Sequence, residues 1–167
     1  SVDAIVEASL ELDMPVVSGN VSFYNETLGS NITSTPATGI IGLRDSVINI
    51  PDDRFIKEGH QVLSVKMNLC DVFQGKFCGE LSLKRAGDFV RGIWNLCQNK
   101  EVISSQVVGE SGLAVCLEKM SFSGVELKNK QSQFLNPLYE VILEVSDKSL
   151  ILKKIEDIFK AQVQVTE

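Results

Sequence analysis

Pro15-Val16-Val17-Ser18-Gly19-Asn20-Val21-Ser22-Phe23-Tyr24-Asn25-Glu26-Thr27 starts with the pattern of a β-strand and ends as a polar loop. Side chains alternate across a strand, so Val17, Gly19, Val21 and Phe23 fall on one face. Val16, Ser18, Asn20, Ser22 and Tyr24 fall on the other. The first face is apolar and is expected to pack. The second lines up hydroxyl, carboxamide, hydroxyl and phenol, which makes either a solvated sheet surface or the wall of a polar site. Gly19 has no Cβ, so a phosphate or a base could approach the main chain there. Asn20 offers a neutral oxygen suited to a hard cation such as Mg²⁺. The Ser22 hydroxyl points the same way, and Glu26 could add a carboxylate.

Before this stretch, Val2 to Leu12 has a helical stripe of Val2, Ile5, Val6, Ser9 and Leu10, which Pro15 stops. After it, Asn25 to Thr35 is turn-rich, and Pro36 to Leu43 reads as a second strand that could pair with the first as a hairpin. Arg44 to Gly59 is charged and reads as an interdomain connection, with a short strand possible at Val47 to Ile50. The expected division is therefore 1–44 and 45–167.

The second part has a strand at His60 to Met67, then a looser segment to Ser82. An amphipathic helix follows from Leu83 to Gln98, with Ala86, Phe89, Val90, Ile93, Trp94 and Cys97 on its core stripe. Next come a β-rich run at Glu101 to Val108 and a helix with Leu113, Leu117 and Met120 inward. A short strand is possible at Val125 to Leu127, and Tyr139 to Val145 is a strand. A last helix is capped by Ser146-Asp147 and buries Ile151, Ile155, Ile158 and Phe159. Strand alternation returns at Gln162 to Glu167. The fold class is α/β (α+β), a mixed sheet with packed helices.

Composition narrows the function. The chain has 167 residues, 44% hydrophobic and 23% charged, within the ordinary range of a globular domain. Its net charge of −6 argues against a nucleic-acid partner. No apolar run approaches the roughly 20 residues of a membrane helix. The sequence begins inside a helical pattern without a start methionine, which reads as a fragment. Asp3, Glu7, Glu11, Asp13 and Glu26 precede the first basic residue, Arg44. A phosphate near the opening stretch must therefore meet backbone N–H groups, a metal, or cations from elsewhere.

Cys70, Cys78, Cys97 and Cys116 form no CxxC pair and His60 is the sole histidine, so the spacing disfavours zinc. Reduced thiols in a cytoplasmic protein fit better. Sequons at Asn20, Asn25 and Asn31 have neither a signal segment nor a disulfide framework beside them. His60 reads as a strand-edge residue, and the Lys84-Arg85 and Lys153-Lys154 pairs read as solvated helix faces.

The run from Asp13 to Thr27 resembles a signature of the phosphoribosylformylglycinamidine synthases, and Thr35-Pro36 with Gly39-Ile40-Ile41-Gly42-Leu43 resembles the strand that follows in that family. The resemblance implies the tail of an ATP-binding-type domain at 1–44 and a C-terminal α/β domain at 45–167, truncated, similar to that of aminoimidazole ribonucleotide synthetase. It implies an ATP-dependent ligase of purine biosynthesis acting on formylglycinamide ribonucleotide, with Mg²⁺ as cofactor and ammonia from a glutamine amidotransferase subunit or domain. It places Gly19 at ATP, Asn20 at Mg²⁺ and Ser22 at the ribonucleotide, the remaining domains of the synthetase completing the site. The fragment alone is expected to be inactive, with no catalytic residue of its own.

Elsewhere the likeness thins. The family's His-Asp-x-Ser-Asp-Gly-Gly-Leu-Ala motif corresponds to Gln106 through Ala114, which keeps Gly112-Leu113-Ala114 but not the His or the acids, although Glu110 could stand in for one. Its Ser-Pro-x-Arg loop corresponds to Asn136-Pro137-Leu138-Tyr139. No function is carried onto Gln106, Glu110 or Pro137, and Ser111-Gly112 reads as a structural turn in preference to the alternative, helix N-terminal anion binding. Two other readings stand beside the synthase: another ATP-using member of the superfamily, and a non-catalytic structural or binding module.

Overall fold

A computed structural model describes residues 2–22, 24–67, 82–109, 111–121 and 139–167, and the backbone alone of 71–73 and 76–78. The chain divides into two compact units, Ser1–Ser46 and Val47–Glu167.

The first unit holds α1 (Val2–Glu11), β1 (Glu26–Thr27) and β2 (Ser30–Asn31). Helix α1 ends before Pro15 on a left-handed residue, Asp13 at φ 54°. The Met14 N–H reaches Ser9 O at 2.9 Å and the Asp13 N–H reaches Leu10 O at 3.3 Å, closing the last turn. The β1–β2 hairpin turns through Leu28 and Gly29 at φ 52° and 78°. A two-residue hairpin loop needs this pair of positive φ values; Gly29 adopts its value freely and Leu28 does so at a steric cost. The expected hairpin is thus displaced: its pairing involves Glu26–Thr27 and Ser30–Asn31, and neither Val16–Tyr24 nor Pro36–Leu43 forms a ladder among the described residues.

The second unit is built on a four-stranded sheet in the order β6-β7-β3-β8. Its strands are β3 (Gln61–Met67), β6 (Val102–Val107), β7 (Tyr139–Val145) and β8 (Gln164–Thr166). Short strands β4 (Asp71–Phe73) and β5 (Lys76–Cys78) pair as a separate hairpin inside the segment expected to be loose. The fold is α+β as expected, but the four strands run antiparallel rather than mixed. Among the described residues the parallel element is one bridge, Asp52 to Ser104, beside a register shift between Val102 and Ser104. Asp52 donates its N–H to Ile103 O and accepts from the Ser105 N–H, both at 2.9 Å. It thereby covers part of the edge that the bulged strand would leave open. The possible strand at Val47 to Ile50 is not formed. Val125 to Leu127 lies outside the described residues.

Among the described residues this unit also has three helices, α2 (Leu83–Leu96), α3 (Gly112–Met120) and α4 (Lys148–Phe159), with a 3₁₀ turn at Lys160–Gln162. Ser82 caps α2 by accepting from the Arg85 N–H, and Asp147 caps α4 by accepting from the Leu150 N–H. Helices α2 and α4 pack on one sheet face, where Phe89, Leu96, Ile151, Ile155 and Phe159 meet Leu63, Val65, Leu143 and Val145. The α2–α4 approach is close: a Cβ built on Gly92 would lie 2.3 Å from the Phe159 ring. That approach turns the buried arc of α2 onto Ala86, Phe89, Gly92 and Leu96. Trp94 is therefore 60% exposed and Val90 is exposed too, against the expectation that both join the core. Helix α3 lies on the other face, where Cys116 and Met120 join Val108 and Ile142, with Phe55, Val62 and Leu117 beside them. Leu113 and Ile158, both expected inward, sit at the rims of their helices.

Candidate functional site

Gly19, Asn20 and Ser22 are all exposed on a segment without regular secondary structure. A Cβ on Gly19 would meet nothing within 4 Å, so the main chain there is open to an approaching group. Near them the Asn25 side-chain amide donates to Ser22 O at 3.4 Å. The apolar face does not pack within the described residues: Val17 is 89% exposed and Val21 is exposed as well. Tyr24, expected on the polar face, is 99% exposed. A strand needs a ladder on at least one side and cover on its apolar face. The described residues supply neither here.

The donor set fits a metal in part. Asn20 offers one hard neutral oxygen, and the segment has no cation of its own before Arg44. Arg44 is engaged through its Nε, which donates to Ser46 O at 2.8 Å. Among the described residues no group of three His, Cys, Asp or Glu side chains could hold a metal ion. One ligand does not make a metal site, and the others must come from elsewhere.

The second unit holds a polar cluster that the sequence reading missed. Strand β7 reads Tyr-Glu-Val-Ile-Leu-Glu-Val, and its alternation puts Glu140, Ile142 and Glu144 on the α3 face. Glu144 is 1% exposed. Its Oε2 accepts from the Ile56 N–H at 2.9 Å and from Ser104 Oγ at 2.9 Å. Its Oε1 accepts from the Lys57 N–H at 3.1 Å and from His60 Nδ1 at 2.7 Å. Burial alone would resist ionisation. The bonds from the Ile56 N–H, Ser104, His60 and the Lys57 N–H outweigh it and hold the carboxyl below the usual glutamate range. An ionised carboxylate only accepts, so His60 carries its proton on Nδ1. Glu140 is also buried and accepts from Ser64 Oγ at 2.5 Å. Two acids four residues apart in an otherwise apolar strand were the available signal: a carboxylate on a covered sheet face must find donors.

His60 is thus more than a strand-edge residue, although among the described residues its one side-chain partner is Glu144. Gln106 lies in β6, Ser111 precedes α3 without a side-chain capping bond, and Gly112 opens that helix at φ 84°. Glu110 and Pro137 lie outside the described residues. No helix of the described residues is long and apolar enough to cross a membrane.

No protein-family model matches the chain. Curated proteins do. It is 32% identical over 171 aligned residues to the phosphoribosylformylglycinamidine synthase subunit PurL of Sulfurovum sp. (strain NBC37-1), covering 89% of this chain and 22% of that protein. It is 34% identical over 133 residues to the PurL subunit of Lactobacillus delbrueckii subsp. bulgaricus (strain ATCC BAA-365 / Lb-18), covering 73% of this chain and 18% of that protein. The chain therefore spans about a fifth of the length of the curated relatives it matches. Its curated homologues are phosphoribosylformylglycinamidine synthase PurL subunits, and it is similar in sequence to one segment of them.

Proposed function

We propose that this chain is part of an ATP-dependent ligase of purine biosynthesis. The whole enzyme converts formylglycinamide ribonucleotide, ATP and glutamine-derived ammonia into formylglycinamidine ribonucleotide. The observation that carries the reading is the run Gly19-Asn20-Val21-Ser22, with an open main chain at Gly19 and exposed acceptors beside it. It stands in a chain matched over 89% of its length to a PurL subunit.

In this reading residues 1–44 are the tail of an ATP-binding-type domain and 45–167 a C-terminal α/β domain. When bound, ATP supplies the phosphoryl group that activates the amide oxygen, and Mg²⁺ neutralises phosphate charge. Gly19 lets the nucleotide lie against the backbone, Asn20 holds Mg²⁺ through its carboxamide oxygen, and Ser22 orients the ribonucleotide by a hydrogen bond. The acidic, cation-free start of the chain supports this division of labour, since a metal and backbone groups would meet the phosphates. The remaining domains of the synthetase supply the other contacts, and a glutamine amidotransferase subunit or domain supplies ammonia. Residues 1–167 alone are inactive, and the enzyme works in the cytoplasm.

The test uses the intact protein from which this chain comes, assayed for ATP- and glutamine-dependent amidation of the ribonucleotide, beside residues 1–167 alone. Activity in the intact protein and none in the isolated chain is expected. An intact protein without synthetase activity would instead favour a non-catalytic module.

A further inference from the structure

We propose that residues 52–60 form a strap across the α3 face of the sheet, latched by Glu144, and that releasing the latch uncovers the cluster containing Cys116. The strap is tied at separate points. Asp52 pairs with β6 through two backbone bonds, and the Phe55 N–H donates to Met120 O at the end of α3 at 2.8 Å. The Phe55 side chain packs against the cluster of Val108, Cys116, Met120 and Ile142. Ile56, Lys57 and His60 all converge on the two oxygens of Glu144. Apart from Phe55 and His60, the strap's side chains from Asp52 to Gly59 are exposed, so little apolar burial holds it down. One carboxylate on β7 therefore carries three of its attachments. Ser104 on β6 fixes that carboxylate from the other side.

The groups around the latch set its pH response. From the strap His60 faces Glu144, and Lys57 and Glu58 are exposed; β6 contributes Ser104, and Val62 lies opposite on β3. On β7 itself Glu140 is engaged by Ser64, and α3 carries exposed Glu118 and Lys119. The carboxyl of Glu144 is depressed in the folded chain below its ordinary value of 4.5. Its stabilisation is therefore complete above that ordinary value and is lost as pH falls through the lower, folded value. The latch is closed at neutral pH and opens in acid. Beneath it, Cys116 is buried, and burial first, then the nearby Glu140 charge, raises its thiol to about 11, so a closed strap leaves it unreactive.

The experiment follows amide hydrogen exchange of residues 53–60, corrected for intrinsic rate, and alkylation of Cys116 read by peptide mass, in the full chain at neutral pH. Glu144→Gln is expected to speed both by about tenfold or more, the scale of a buried bond to a charged group, while α2 and α4 keep their protection. As pH falls below 4.5, strap exchange of the unsubstituted chain, corrected for intrinsic rate, should approach that of the variant, and Glu144→Gln should lose that acid response. Unchanged strap exchange and Cys116 labelling in Glu144→Gln would overturn the proposal. If Glu144→Gln loosens both sheet faces alike, Ser104→Ala and His60→Ala decide by the same readouts: selective strap opening supports the latch, and full protection overturns it.

Discussion

Gly19 and Gly92 are both glycines in sequence patterns that read as regular structure, and they have opposite surroundings. A Cβ at Gly92 would collide with Phe159 and Ile158, whereas one at Gly19 would meet open space. Their units differ in the same way. In Val47–Glu167 the core positions Leu63, Val65, Leu143 and Val145 of the sheet meet Phe89, Leu96, Ile151, Ile155 and Phe159 of the helices, and none of them is more than 3% exposed. In Ser1–Ser46 helix α1 has no buried residue, and Val16, Val17, Ile40, Ile41 and Leu43 are all exposed. Alternating apolar residues state that a face wants cover. They do not state that the cover lies in the same stretch of chain.

Three substitutions sharpen that contrast. Phe159→Ala removes a ring buried between α2 and the sheet and should cost about 3–5 kcal/mol, read as a lower denaturant midpoint. A loss under about 1 kcal/mol would mean the core is looser than described. Gly92→Ala forces a methyl against the same ring and should cost about 1–3 kcal/mol, since the ring has packed neighbours and little room to yield. Gly19→Ala should change the stability of residues 1–167 by no more than about 0.5 kcal/mol, as expected of an uncrowded surface site. A large loss there would show that the opening segment is packed after all.

Legibility followed the location of the packing partner. Strand β7 was readable to its ends, and the Asp147 cap of α4 was readable too, because both signals are local. The stripe of α2 holds at Ala86, Phe89, Ile93 and Cys97 and fails at Val90 and Trp94. Gly92 has no hydrophobic signal, yet it sets the closest helix approach and turns Trp94 outward. The opening stretch was read as a strand on alternation alone, and the described residues give it no ladder. Gly19, Asn20 and Ser22 were candidates from residue chemistry along the alternation, and the roles expected of them came from the family resemblance. The Glu144 cluster was missed because its donors come from residues 84 to 88 positions away and from Ser104, 40 positions away. Only the two acids on β7 could have announced it.

Asn20 is the residue whose loss bears most directly on the proposed site. In the intact protein, Asn20→Ala should leave folding unchanged and raise the Mg²⁺ concentration needed for half-maximal amidation by about tenfold or more, the effect of losing one oxygen ligand that also meets phosphate charge. An Asn20→Ala protein whose Mg²⁺ dependence and amidation rate match those of the unsubstituted enzyme would contradict the reading of this stretch as a site wall.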